Sequence, residues 1–247
     1  PLGGGFFFFN ASVVASELVT KSNTASEGAG FMSRNSTITI CTRDDYEPIV
    51  GKKVKIEMMR GGAESFGMKA VENEGTNGGG ALELEDTVIE IRSSRFRNNR
   101  GQEGGGIHAW RKCTLVIRNS NFTNNIAENG GSVYARAFHK GDISLKLDNV
   151  SFRHGHAESG GALHLTSVES VLQKCSFSKC SARDGGAIYV RPNLDHREAS
   201  DHTMEVTGCT FTTCSAMSGG AILARDFNVT RSEEHTSELQ SHLNLVC

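Results

Sequence analysis

Apolar positions recur along this chain in short runs that alternate with polar ones, and no segment carries a sustained apolar stripe at the 3.6-residue spacing of a helix face. In the clearest unit a Phe is followed eight positions later by a Gly-Gly pair, at Phe96/Gly104, Phe122/Gly130, Phe152/Gly160, Phe177/Gly185 and Phe211/Gly219. Apolar residues stand five and seven positions before the Phe: Ile91 and Ile89, Ile117 and Leu115, Leu147 and Leu145, Val206 and Met204. In the Phe177 unit the same slots hold Leu172 and Ser170. Alternation over runs this short predicts strands.

Each Gly-Gly pair is followed by a small residue, an aliphatic one and a further alternating strand, as in Gly160-Gly161-Ala162-Leu163 and Gly185-Gly186-Ala187-Ile188. Starting from Gly79, these corners are spaced 25, 26, 30, 25 and 34 positions apart. A fixed corner joined by segments of variable length is the mark of a solenoid, in which one coil cannot bury its own apolar face and the stack is the stable unit. The expected fold is all-β: a right-handed, single-stranded parallel β-helix of about 25 residues per coil and eight or nine coils. Stacking sets each Phe over the next at roughly 4.8 Å. It also forms a turn column from Asn99 and Asn125, whose amides can bond one another.

Residues 71–230 hold the regular coils and 1–70 degenerate ones, with Gly3-Gly4-Gly5-Phe6 and Gly28-Ala29-Gly30-Phe31 as weaker corners and Thr20 in the Phe slot. The 51 positions from Gly28 to Gly79 leave room for two coils, with Gly61-Gly62-Ala63 as a displaced corner. Longer gaps place loops at Ala137 to Asp142 and Arg191 to His202.

The C-terminal stretch Arg231 to His242 is identical to one translated frame of a widely used short-read sequencing adapter, so residues 231–247 are set apart from the fold. The absence of an initiator Met, and of a basic segment leading an apolar one at the N-terminus, makes the chain read as a fragment. Its 26 Lys and Arg against 28 Asp and Glu give a net charge of −2, which argues against a nucleic-acid partner. No apolar run approaches the roughly 20 residues of a membrane helix.

Gly-Gly-Ala-(Ile/Leu/Val) together with Phe-x-x-Asn (Phe96-Arg97-Asn98-Asn99 and Phe122-Thr123-Asn124-Asn125) resembles the repeat of the chlamydial polymorphic outer membrane proteins. The resemblance covers Gly79 to Thr230, with Gly155, Cys180 and Cys214 departing at the Asn slot. It implies a right-handed parallel β-helix of the pectin-lyase-like superfamily, an extracellular or cell-surface location and an adhesive role. The expected partner is a cell-surface glycan or protein, with the chain as a monomer.

The outward slots after Gly-Gly carry the candidate binding residues. The first slot reads Glu83, His108, Tyr134, His164, Tyr189 and Leu223; the next reads Glu85, Trp110, Arg136, Thr166, Arg191 and Arg225. Aromatic faces beside cationic forks suit sugar rings and anionic groups, which singles out His108, Trp110, Tyr134, Arg136, His164, Tyr189 and Arg191. The same row also reads as cross-strand pairs that hold a sheet together.

Cys175 and Cys209 share one slot, Cys180 and Cys214 another, and each pair reads either as a core column or as a disulfide. Asp residues are scattered, with no two in one outward slot of adjacent coils. His154-x-His156, Asp195-His196 and Asp201-His202 are isolated polar groups. No catalytic residue, metal or cofactor is assigned, and a polysaccharide-active enzyme of the pectin-lyase-like class is the alternative to an adhesive or scaffolding protein. Asn-x-Ser/Thr occurs at Asn10, Asn35, Asn121, Asn149 and Asn228.

Overall fold

The alternating runs form strands, and every named pairing between them is parallel. The computed structural model describes residues 5–15, 18–26, 28–40, 68–139, 141–193 and 203–232. These residues wind into a parallel β-solenoid of about seven turns with roughly 26 residues per turn, without a helix among them. Each regular turn contributes one strand to each of three sheets. The first sheet stacks Phe6–Phe9, Phe31–Arg34, Leu82–Glu85, Ile107–Trp110, Val133–Arg136, Leu163–Thr166, Ile188–Arg191 and Ile222–Ala224. The second runs from Ser12–Ala15 to Asn228–Ser232, and the third from Leu18–Lys21 to Thr210–Thr212. The last strand of the second sheet pairs with Thr203–Thr207 through Ser232, two residues past the boundary drawn from the sequence.

Register turns equal slots into columns. Phe96, Phe122, Phe152, Phe177 and Phe211 stack with centroid separations of 4.5, 5.0, 4.9 and 4.8 Å, near the spacing between paired strands. Thr20 and Ala70 continue this column upstream. Leu82, Ile107, Val133, Leu163 and Ile188 form the inward column of the first sheet, all fully buried. The second sheet buries Ile91, Ile117, Leu147 and Leu172, together with Ser170 in a slot otherwise filled by Leu145 and Met204.

The two glycines of a corner do different jobs. Gly104 has φ +68°, a left-handed conformation that disfavours a side chain, and an added Cβ would lie 2.0 Å from the Ile107 carbonyl oxygen. Gly105 is needed for close approach, because its Cβ would meet the Gly131 oxygen of the next turn at 2.4 Å.

The expectation of a second coil between Gly28 and Gly79 is corrected. Phe31 pairs directly with Leu82 and Ile38 with Ile89, so no rung intervenes. Thr37–Ile40 and Met68–Val71 are successive strands of one turn, with residues 41–67 between them in the sequence. Gly61-Gly62-Ala63 lies outside the described residues. The other two long connections, 137–142 and 192–202, each join a strand of the first sheet to one of the second.

Candidate functional site

The outer face of the first sheet brings the candidate binding residues into register. Glu83, His108, Tyr134, His164, Tyr189 and Leu223 are successive partners in one row, and Glu85, Trp110, Arg136, Thr166 and Arg191 in the next. The rings touch: His108–Tyr134 at 5.2 Å, Tyr134–His164 at 4.9 Å and His164–Tyr189 at 4.8 Å between centroids, the last two edge-on.

The solvent-facing stripe expected from the sequence is corrected. His108, Tyr134, His164 and Tyr189 are 7%, 3%, 2% and 6% exposed, so the first sheet is buried on both faces along this row. Alternation says which face of a sheet a side chain occupies; it does not say whether that face is covered. Trp110, Arg136 and Arg191, in the second row, are half-buried and keep part of their surface open. The Arg111 guanidinium lies 4.4 Å from the Trp110 ring centroid, and Arg225 lies 5.8 Å from that of Tyr189.

The row changes character along the stack. At its N-terminal end His108 sits between two carboxylates, with Nδ1 2.8 Å from Glu83 and Nε2 3.2 Å from Glu103. Glu83 also accepts the Gly79 amide at 2.7 Å. Glu85 pairs with Arg34 and, at 2.6 Å, with Arg111. Farther along, His164 faces cations. Burial, with Arg191 and Arg136 nearby, pulls its pKa down to about 3, so it is neutral at ordinary pH. Its Nε2 meets Thr166 Oγ1 at 3.3 Å. Burial and the field of Glu103 raise the Tyr134 phenol above its ordinary value.

Glu103 went unrecognised in the sequence. It stands one position before its Gly-Gly, in a slot that Asn129, Ser159, Asp184 and Ser218 continue as bridged partners. A polar residue there in each of these turns was the available signal. Its side chain reaches the outer row because the Gly corner brings the preceding segment alongside the first sheet.

The turn column expected at Asn99 and Asn125 is present and longer. Asn23, Asn73 and Asn99 each donate Nδ2 to the Oδ1 of the next residue in the series Asn73, Asn99, Asn125, at 3.0, 3.0 and 3.1 Å. Asn99 and Asn125 also donate Nδ2 to the carbonyls of Ala70 and Phe96, both at 3.0 Å. This satisfies buried amides at a corner where strand bonding is interrupted.

Cys175, Cys180, Cys209 and Cys214 stack as the sequence places them and are free thiols in this structure, as is buried Cys113. Burial pushes the Cys113 thiol up to about 12. His154 and His156 are exposed at a corner, His156 bonding Ser181 at 2.9 Å. Asp195-His196 and Asp201-His202 lie outside the described residues. Among the described residues no group of three or more His, Cys, Asp or Glu is arranged to hold a metal, and no helix is long and apolar enough to cross a membrane. Comparison with known proteins finds no matching family model, curated protein or solved structure.

Proposed function

We propose that this chain is a segment of an extracellular, surface-displayed β-helix that serves adhesion or scaffolding rather than catalysis, related in kind to the polymorphic outer membrane protein repeats. One observation carries the reading: the polar and aromatic columns of the described turns are spent largely on bonding rung to rung, from the Asn column to the His–Tyr row. Such columns stiffen a rod. On the described first sheet, a partner would meet the edge formed by half-buried Trp110, Arg136 and Arg191 with exposed Arg111 and Arg225, at the side where 137–142 and 192–202 join the first sheet to the second. An aromatic and cationic edge suits a cell-surface glycan or an acidic protein.

A glycan array and a cell-binding assay on residues 1–232 test this. Binding that falls at least tenfold in Trp110→Ala/Arg191→Ala, with an unchanged melting profile, supports it. No binding to any glycan or cell surface leaves a spacer and removes the adhesive part.

The second reading is a polysaccharide-active enzyme of the pectin-lyase-like class. It is favoured by Glu83 and Glu103 on either side of His108, two carboxylates from adjacent turns. Depolymerisation of polygalacturonate that is abolished by Glu103→Gln would establish it in place of the first.

A further inference from the structure

Two corner columns change chemistry at the same point of the stack. Two positions before each Phe the column reads Ser94, Ser120, Val150, Cys175 and Cys209; three positions after, it reads Asn99, Asn125, Gly155, Cys180 and Cys214. Oxygen and amide groups give way to sulfur in both columns, across one rung that has neither. The sulfurs inherit the earlier partners. Asn125 Nδ2 donates to the carbonyl of the preceding Phe96 at 3.0 Å; Cys180 and Cys214 face the carbonyls of Phe152 and Phe177 at 3.8 and 3.6 Å. Ser94 N donates to Ser120 Oγ at 3.0 Å, and Cys175 N donates to Cys209 Sγ at 3.3 Å.

Side chains stacked in strict parallel are poorly aimed for a disulfide, and this last contact departs from that geometry. The Cys209 sulfur leans along the stack toward the preceding rung. The pairings Gln173 with Thr207, Ser176 with Thr210 and Ser181 with Ser215 hold Cys175 opposite Cys209 and Cys180 opposite Cys214. Parallel neighbours lie roughly 4.8 Å apart, inside the span of about 4.4–6.8 Å that a disulfide bridges.

We propose that Cys175/Cys209 and Cys180/Cys214 are two thiol–disulfide exchange sites that accept a low-molecular-weight disulfide and close into stacked disulfides joining the Phe177 rung to the Phe211 rung. The outer cysteine of each pair is the point of entry. Cys209 and Cys214 are half-buried, whereas Cys175 and Cys180 are buried. Each outer sulfur accepts hydrogen bonds from the partner's thiol and amide, which lowers its pKa, at Cys214 to about 7. Donating that hydrogen bond, and then burial, raises the inner thiols. The Cys214 thiolate attacks one sulfur of the disulfide RSSR and expels RS⁻, leaving Cys214 in a mixed disulfide. Cys180 gives up its proton to the expelled thiolate and attacks the Cys214 sulfur, expelling the second RS⁻, which takes a proton from water. Two cysteine thiols are oxidised and one RSSR is reduced to two RSH. Cys209 and Cys175 repeat the sequence. The bonds fasten the last described rung of the third sheet, where Phe211 is only half-buried.

The test treats the full chain with oxidised glutathione, followed by non-reducing peptide mapping, which also keeps Cys41 and Cys247 apart from the four. Double variants that retain one pair at a time, such as Cys180→Ser/Cys214→Ser, assign the linkages. The expected result is closure of each pair, Cys113 left as a thiol, and a melting midpoint that rises on oxidation and falls back with dithiothreitol. Cys180→Ser traps glutathione on Cys214. At pH 7 the thiolate fraction gained at Cys214, less the nucleophilicity lost with its lower pKa, makes its alkylation about fivefold faster than that of an ordinary thiol. Persistent glutathione on Cys214 with Cys180 present, or inner thiols that stay open to alkylation after treatment, overturns the exchange sites. Cys214 alkylation no faster than that of an ordinary exposed thiol overturns its role as entry point.

Discussion

The turns around Phe96 and Phe122 and those around Phe177 and Phe211 are built on the same aromatic column, yet their corners are held differently. In the first pair of turns Asn99 donates to Asn125, and both donate Nδ2 to a carbonyl of the preceding rung; at the other corner Ser120 Oγ accepts the Ser94 amide, while each serine hydroxyl donates to the carbonyl two residues before it. In the second pair, sulfur occupies both slots with longer contacts. In the slot three positions after the Phe, Asn99, Asn125, Cys180 and Cys214 each face a carbonyl of the preceding rung. The amide and thiol solutions differ in strength. Amide bonds are worth roughly 1 kcal/mol net each and cost more when one partner is left buried and unpaired. Thiol bonds are weak, and the second solution becomes strong only when two sulfurs are joined.

The outer row shows the same contrast in charge. His108 is held between Glu83 and Glu103, while His164 lies near Arg136 and Arg191 without a carboxylate among its described partners. One slot of the repeat therefore carries an imidazole held between carboxylates in one half and a neutral one near cations in the other.

The shared column should break first and alike in both halves. Phe122→Ala and Phe177→Ala should each cost about 3–5 kcal/mol in urea unfolding, since both rings are fully buried between neighbours. A large difference between them would show that the halves unfold independently.

Asn99→Ala comes next, at about 2–3 kcal/mol, because it strips the acceptor from the amide and side chain of Asn73 and the donor from the Ala70 carbonyl. Cys180→Ala in the reduced protein should cost only about 1 kcal/mol, and equal costs would erase the comparison between the two corner chemistries.

The smallest effect at neutral pH is expected from His164→Gln, and it should emerge with acid. The folded pKa of His164, about 3, lies below the ordinary 6.5, so the unfolded chain binds the proton more readily. Its contribution is intact above pH 6.5 and is lost as pH falls from there toward 3. Stability of the Gln variant should fall less steeply across that window, read from unfolding midpoints at stepped pH. Parallel curves for the two proteins would show that His164 is not buried as a neutral base.

Much of this architecture was legible because parallel in-register stacking converts equal sequence slots into contacts. Phe96 over Phe122, Asn99 over Asn125 and Cys175 over Cys209 needed only counting. The spacing from Gly28 to Gly79 reads as two coils for the converse reason: a distance along the chain does not reveal that Thr37–Ile40 and Met68–Val71 are successive strands of one turn. Glu103 was missed because its partner, His108, is not at a repeat offset but across a corner.

By itself, the sequence determined the parallel solenoid, its corners and its inward columns, since period-two alternation and recurring Gly-Gly pairs are local features that every turn repeats. Only the tertiary structure decided that the His–Tyr row is closed to solvent, that Glu103 reaches His108, and that Cys209 leans toward Cys175. Those outcomes depend on how the segment before each corner lies against the first sheet and on how far side chains tilt along the stack. The repeat carries no record of either.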